Sequence, residues 1–442
     1  MKVGFVSLGC PKNLVDTEVM MGHLTAQGHQ ITARPDEADV IVVNTCSFID
    51  PAKQESVDTI LEMAEYKKTG RAQRVIVAGC LVERYGKKIL EMLPEVDALV
   101  GTNQLVQIAA QVEGAPVAAA AAEPYLYHDL TPRVLATPPH YAYVKIAEGC
   151  DHPCSFCVIP QFRGSFRSRH FESVVAEVER LFSQGVREIN LIGQDTTCYG
   201  EDLGIRDGLA LLLERLAGIE APGAAWVRFL YAYPNKVTTR LLETIARHAR
   251  LVKYIDMPLQ HASAAVLRRM KRGGSGEIFL RLIEKIRRTI PGVAVRTSMI
   301  VGFPGETEAD FEALCDFVRE ARFDRLGVFS YSDEETSASF HLPGKVNGRT
   351  IYNRKRRLMA IQRRVSRARH RELLGRELEV LVEGPSQETE LLWEARTTAQ
   401  APEIDGVCYI NDWGSTPPRP GDIRRFRVEE AHDYDLVGAL LP

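Results

Sequence analysis

Between residues 137 and 372 a strand-like apolar run followed by a helical pattern recurs six times, which narrows the available folds more than any other feature. The runs are Tyr141–Ala147, Glu188–Ile192, Trp226–Tyr231, Lys253–Met257, Val293–Val301 and Leu326–Tyr331. Helical periodicity fills the intervals over Glu172–Phe182, Gly208–Ala217, Thr238–His248, Ile278–Thr289 and Asp310–Ala321. Apolar runs of this kind belong to strands buried on both faces, as in parallel sheets with helical crossovers. A closed barrel needs eight such units. Six predict an open, partial (β/α)6 barrel; a flat doubly wound sheet is an alternative that periodicity does not separate from it.

The flanks read differently. Residues 1–123 alternate strands (Lys2–Leu8, Asp39–Val43, Arg74–Ala78, Val96–Val100) with helices (Val15–Gln27, Ala52–Tyr66, Glu83–Met92), predicting a parallel α/β sheet domain. The alanine-rich Ala115–Ala122, followed by Glu-Pro, reads as its closing linker. Residues 375–442 carry short strands at Glu377–Val382, Glu390–Arg396, Val407–Ile410 and Ile423–Glu430, between Gly, Pro and Asn signals. They predict a small all-β barrel or sandwich. The 442 residues thus divide into an α/β multidomain chain with units at 1–123, 137–372 and 375–442.

Nine cysteines, an odd number, argue against a disulfide framework and for metal or thiol chemistry. Cys150, Cys154 and Cys157 follow the first barrel strand, at the end where α/β barrels carry their chemistry. Three thiolates suit a four-iron cluster with one iron open to a small molecule, whereas structural zinc wants a fourth ligand. Cys10, Cys46 and Cys80 each follow a different strand of the first region. In a parallel sheet those ends share one edge, which predicts a second three-cysteine cluster; the bland alternative is three buried cysteines acting as small hydrophobes. Cys198, Cys315 and Cys408 read as structural.

Later strand ends are also decorated: Gly193-Gln194-Asp195, Tyr233-Pro234, Pro258-Leu259-Gln260-His261, Gly302-Phe303-Pro304-Gly305-Glu306 and Tyr331-Ser332. Together they predict an active site on the rim. Arg354–Arg371 is a basic helical run, read first as a solvated helix between domains and second as a phosphate or acidic-surface contact. The net charge of −3 implies no nucleic-acid partner by itself. No apolar stretch approaches a membrane span, and the N-terminus lacks the flanks of a signal peptide, so a cytoplasmic location is expected.

These motifs resemble one family over nearly the whole chain. Ser7–Asn13, Asn44-Thr45-Cys46 and Gly79-Cys80 are similar to the N-terminal domain of the radical S-adenosylmethionine (SAM) methylthiotransferases. Glu148-Gly149-Cys150 through Cys157, then Arg163-Gly164 and Ser168-Arg169, resemble their radical SAM domain, and the third region their TRAM domain. Gly9–Asp16, Gln194-Asp195-Thr196, Tyr231–Pro234 and Asp256–His261 look most like the branch acting on an aspartate of ribosomal protein S-twelve. The sister branch, which methylthiolates tRNA adenosine (MiaB-like), usually carries Gly-Cys-Gln-Met-Asn at the first cysteine.

The resemblance implies two 4Fe-4S clusters, on Cys150, Cys154 and Cys157 and on Cys10, Cys46 and Cys80, with SAM on the first. It implies SAM contacts from Gln194, Arg169 and Gly302, and an electron donor such as flavodoxin or ferredoxin. It further implies a 5′-deoxyadenosyl radical that takes hydrogen from the aspartate β-carbon, a second cluster that donates sulfur, and 3-methylthio-aspartate as product. Residues 375–442 hold fourteen acidic and six basic side chains, a net charge of −8. That sign favours a basic protein over RNA as substrate. A non-catalytic iron–sulfur or zinc protein that binds ribosomes is the alternative from another class.

Overall fold

A computed structural model describes residues 1–115, 124–389 and 391–442. All but the first residue of the expected linker Ala115–Ala122 lies outside the described residues.

The first region is a five-stranded parallel sheet of β1 (Lys2–Ser7), β2 (Gln30–Thr32), β3 (Val40–Thr45), β4 (Arg74–Gly79) and β5 (Ala98–Val100), ordered β2-β1-β3-β4-β5. Its helices are α1 (Pro11–Ala26), α2 (Asp50–Thr69), α3 (Cys80–Tyr85), α4 (Lys88–Met92) and α5 (Ile108–Val112). Alternate residues of β3 serve the two faces: Val40 and Val42 join Val15 and Val19 of α1, while Ile41 and Val43 join Ile60 and Met63 of α2. The helix expected over Glu83–Met92 starts at Cys80 and breaks at Gly86, which adopts φ +52°. Strand β2 escaped the sequence reading because Ile31 is its only apolar residue.

The central region opens with β6 (Tyr141–Lys145), then β7 (Ala147–Glu148), α6 (Ile159–Arg163) and β8 (Arg167–Ser168). Next come α7 (Phe171–Ser183), β9 (Glu188–Ile192), α8 (Gly208–Ala217), β10 (Trp226–Phe229), α9 (Thr239–Arg247) and β11 (Tyr254–Asp256). It closes with α10 (Ala264–Arg269), α11 (Gly276–Thr289), β12 (Ala294–Val301), α12 (Glu308–Ala321), β13 (Arg325–Ser330) and α13 (Gly348–Arg371). Parallel sheets β6-β9-β10 and β11-β12-β13 meet at a bridge between Val227 and Leu251. All six strands therefore lie in chain order, as winding in one sense produces, and the doubly wound alternative falls. Ala142, Val144, Ile189, Leu191 and Val227 pack under the outer helices, while Tyr141, Tyr143, Trp226 and Tyr254 join a second core with α1.

The third region is a closed barrel, β14 (Glu377–Pro385), β15 (Trp393–Thr397), β16 (Cys408–Asp412), β17 (Ile423–Ala431) and β18 (Leu436–Leu440), ordered β14-β15-β16-β18-β17. Strand β18, a short run interrupted by Gly438, was not foreseen. Cys408 and Cys315 are fully buried, as expected. The barrel docks where the central strands begin. Glu379 accepts from Trp226 Nε1 at 3.0 Å, Glu403 from Tyr141 OH at 2.8 Å and Asp405 from Tyr254 OH at 2.7 Å. Arg396 pairs with Glu188 at 2.7 Å. The acidic surplus read as a surface for a basic protein is therefore partly committed to the chain itself, at the end of the strands away from the cysteines. Spacing alone could not reveal that contact.

Helix α13 ties the central and third regions together through His370. Arg325 can only donate, so Nε2 accepts from it at 3.1 Å and Nδ1 donates to the His432 carbonyl at 3.0 Å. Burial, then the neighbouring Arg325, hold this imidazole down to about 4. A depressed folded value means stability that is complete above pH ~6.5 and lost between there and pH ~4, by about 3 kcal/mol. Urea unfolding at pH 7 and pH 5 should show part of this loss in the parent protein and much less in His370→Gln. Equal pH dependence in both would remove His370 as its source. Among the described residues no helix is long and apolar enough to cross a membrane.

Candidate active site

The first three-cysteine set arises from strand geometry. β1, β3 and β4 are neighbours, and Cys10, Cys46 and Cys80 come just after them, so one sheet edge carries all three. Gly9 lets Cys46 approach: a Cβ on Gly9, at φ +87°, would lie 2.7 Å from Cys46 Cβ. Asn13 fastens the edge by donating to the carbonyls of Leu8 and Thr45 at 3.1 and 2.9 Å. Burial, opposed by Arg163 and reinforced by Cys10 and Cys46, pushes the Cys80 thiol up to about 12.

The second set is held by a loop closing on itself. After β7, Gly149 adopts φ +81°, and a Cβ there would lie 2.0 Å from the Ser165 carbonyl oxygen. The returning segment is thus pressed against the start of the loop, and Cys150 N donates to the Gly164 carbonyl at 3.2 Å. Cys154 and Cys157 are joined by a backbone bond of 3.1 Å. Arg272 reaches Cys154 Sγ at 3.5 Å and stacks over Tyr233, its carbon 4.5 Å from the ring centre. Burial raises the Cys157 thiol to about 12 and that of Cys150 to about 11.

Tyr231 and Tyr233, beyond the end of β10, each touch a residue next to one of the sets. The Lys12 ammonium sits 3.4 Å from the Tyr231 ring centre, two residues from Cys10. His152, between Cys150 and Cys154, stacks on Tyr233 with centroids 3.7 Å apart. Further round, Glu334 after β13 pairs with Arg84 and Lys53 of the first region, at 2.5 and 2.9 Å.

A buried charge network to which no motif pointed joins the two sets. Arg163 donates to Asp16 at 2.6 Å, to Asn13 Oδ1 at 2.5 Å and to Cys80 Sγ at 3.3 Å. Lys145 bridges Asp16 at 2.5 Å and Glu148 at 2.6 Å, and Gln194 donates to Glu148 Oε1 at 2.5 Å. All four charged groups are buried and their signs balance. The network runs from Cys80 to Glu148, two residues before Cys150. A lysine within the apolar run Tyr141–Ala147 was the available signal.

Of the other residues marked from sequence, Gln194 joins the network through Glu148. Gly302 lies at the end of β12, where a Cβ would meet Ile351 at 2.3 Å. Arg169 is engaged by its own partners. Its guanidinium is bound to Glu177 at 2.5 Å and the Lys145 carbonyl at 3.1 Å, and lies over Tyr127. His261 is buried, its Nδ1 accepting from Ser263 N, in keeping with a structural histidine. Cys198, read as structural, instead stands at the rim with its Sγ 3.1 Å from Asp195 Oδ2, which His152 reaches at 2.6 Å. That trio is the one His/Cys/Asp/Glu group among the described residues with ligand atoms within 4.8 Å of one another. Such spacing suits a single ion, whereas a four-iron cluster takes each thiolate on a different iron.

Three family models match in chain order: Uncharacterized protein family UPF0004 over residues 2–101, Radical SAM superfamily over 144–318 and TRAM domain over 374–441. Among solved structures, the radical SAM methyltransferase TsrM from Kitasatospora setae gives a TM-score of 0.55 at 15% identity, covering 74% of each chain. OxsB, a cobalamin-dependent SAM radical enzyme, gives 0.51 at 13% identity, over 81% of this chain and 56% of that one. These neighbours speak to the fold alone. Fold and site together define a radical SAM enzyme with an added cysteine-bearing sheet domain and a TRAM barrel. "Ribosomal protein uS12 methylthiotransferase RimO" of Solibacter usitatus is 73% identical over 441 residues, covering 100% of this chain and 95% of the relative. The protein of that name from Koribacter versatilis is 58% identical over 487 residues, covering 100% and 96%. The chain belongs to the RimO methylthiotransferase family.

Proposed function

We propose that this enzyme inserts a methylthio group at the β-carbon of an aspartate in ribosomal protein uS12. The observation that carries the reading is a pair of three-cysteine sets joined by one buried network, from Cys80 through Arg163 to Glu148 beside Cys150. The donor sets fit two clusters: each site offers three free thiols, and an arginine N–H is aimed at a sulfur in each, at Cys80 and at Cys154. Cys150, Cys154 and Cys157 would hold the SAM-binding 4Fe-4S cluster, and Cys10, Cys46 and Cys80 a second one. When bound, these groups and SAM supply a reducing electron, a 5′-deoxyadenosyl radical and sulfur.

The chain's own residues bind and orient. Gln194 and Gly302 remain the proposed SAM-side contacts; Arg169 would act on that site only through β8 and Lys145. Glu148 and Arg163 hold the two cysteine sets in fixed relation. The proposed division at 1–123, 137–372 and 375–442 assigns each cluster to one α/β unit. An electron donor such as flavodoxin or ferredoxin, and a cytoplasmic location beside the ribosome, complete the reading.

Anaerobic reconstitution should give about eight irons per chain and release of 5′-deoxyadenosine that depends on reductant. A peptide carrying the uS12 target loop should gain one methylthio group and tRNA none. Modification of tRNA but not peptide would overturn the substrate, and metal binding without SAM cleavage would overturn the enzyme.

A further inference from the structure

The charge on α13 is divided between two faces. Arginines that touch the fold are paired: Arg354 with Glu306 at 2.8 Å and Arg369 with Asp324 at 2.6 Å, while Arg357 is bonded to Glu312. The outer face carries Arg349, Arg356, Arg363, Arg364, Arg367 and Arg371, all exposed. At 3.6 residues per turn these six fall within a stripe about 100° wide and about 33 Å long. The stripe lies opposite the buried Leu358 and Ile361. Among the described residues, Arg349, Arg356, Arg364 and Arg371 have no carboxylate within 4.0 Å, and Arg363 and Arg367 share only Asp433, at 3.8 Å. Like charges three and four apart, as at Arg363, Arg364, Arg367 and Arg371, destabilise a helix, so a helix that merely linked domains would gain nothing from this pattern.

The stripe also has a direction. Its first turn stands at the catalytic rim, where Ile351 covers Gly302, and its last turn meets the third region at His432 and Asp433. Tyr352, 58% exposed, flanks its start. Arginine's planar fork matches phosphate oxygens, and a row of arginines along a helix follows a phosphate backbone. A basic ribosomal protein would be repelled by such a face, whereas the RNA around that protein is attracted.

Resting on the reading of uS12 as substrate, we propose that the outer arginine stripe of α13 binds the ribosomal RNA backbone next to the target protein. The enzyme thereby docks on the small subunit with its rim toward the substrate. The test uses reconstituted enzyme and the triple variant Arg356→Gln, Arg364→Gln, Arg371→Gln, whose positions are exposed and unpaired among the described residues. Affinities for small ribosomal subunits, for their protein-free RNA and for free uS12 are measured over a range of salt. The variant should bind subunits and RNA about tenfold or more weakly, and its slope of log affinity against log salt should fall by about two to three. Binding and modification of free uS12 should be unchanged. Unaltered affinity and slope on RNA and subunits would overturn the proposal, as would an equal loss on free uS12, which would assign the stripe to a protein. If the parent enzyme modifies uS12 in neither form, the substrate reading fails, while the RNA arms still decide the stripe.

Discussion

Replacing Arg163 with methionine is expected to destabilise the metal-free protein by about 3–5 kcal/mol, because it leaves buried carboxylates short of a cation. Asp16 and Glu148 would then share Lys145 alone. Burial pushes the Glu148 carboxyl up, but Lys145 and Arg163 overcome it and hold it at about 2. A carboxyl held down in the folded state contributes stability that is present above its ordinary value and lost as pH falls towards 2, and removing Arg163 takes part of that contribution away. The deficit of the variant should therefore be full at pH 7 and shrink as pH falls below ~4.3 in urea unfolding. Arg163→Lys keeps the charge but not the fork that reaches Asp16, Asn13 and Cys80 together, and should fall between the two. A deficit under about 1 kcal/mol in Arg163→Met, with no pH trend, would show that the network does not hold the edges together.

The second large effect separates the two cysteine sets. Cys154→Ala should lower reconstituted iron to about four per chain and bring 5′-deoxyadenosine release to background. Cys80→Ala should lose about the same iron yet keep reductant-dependent SAM cleavage while forming no methylthio product. The asymmetry follows from the proposed assignment of SAM to the set of Cys154, beside Arg272 and Tyr233, and of sulfur donation to the set of Cys80, beside Asn13 and Arg163. SAM cleavage by Cys154→Ala, or methylthio product from Cys80→Ala, would overturn the assignment of the two sets.

Much of this was readable from residue order, for a specific reason. In a parallel sheet the position after a strand is also a position in space, so a cysteine after each of three strands already implied a shared edge. Six apolar runs in an α/β rhythm likewise limited the central region to two topologies, and only pairing, strictly in chain order, chose between them. Short edge elements were lost: β2 has one apolar residue, and β18 is broken by Gly438. The acidic excess of the third region could be counted, but not which of its carboxylates the chain itself uses, because charge counts carry no direction. Arg169 shows the same limit. Its place in a motif was visible, but not the carboxylate of Glu177 that occupies its guanidinium.

The sequence by itself determined the class of chemistry: three thiols after one barrel strand, three more after successive strands of a parallel sheet, and apolar patterns able to bury both. Only the tertiary structure decided that Arg163 crosses between regions to reach Cys80 and that one buried network joins the two sets. It also decided that the cations of α13 divide into a paired face and an exposed stripe. The physical reason is that strand and helix periods are local and repeat along the chain. A buried ion pair between residues 16 and 163 exists only once separate elements have packed, and nothing in the spacing of either residue records its partner.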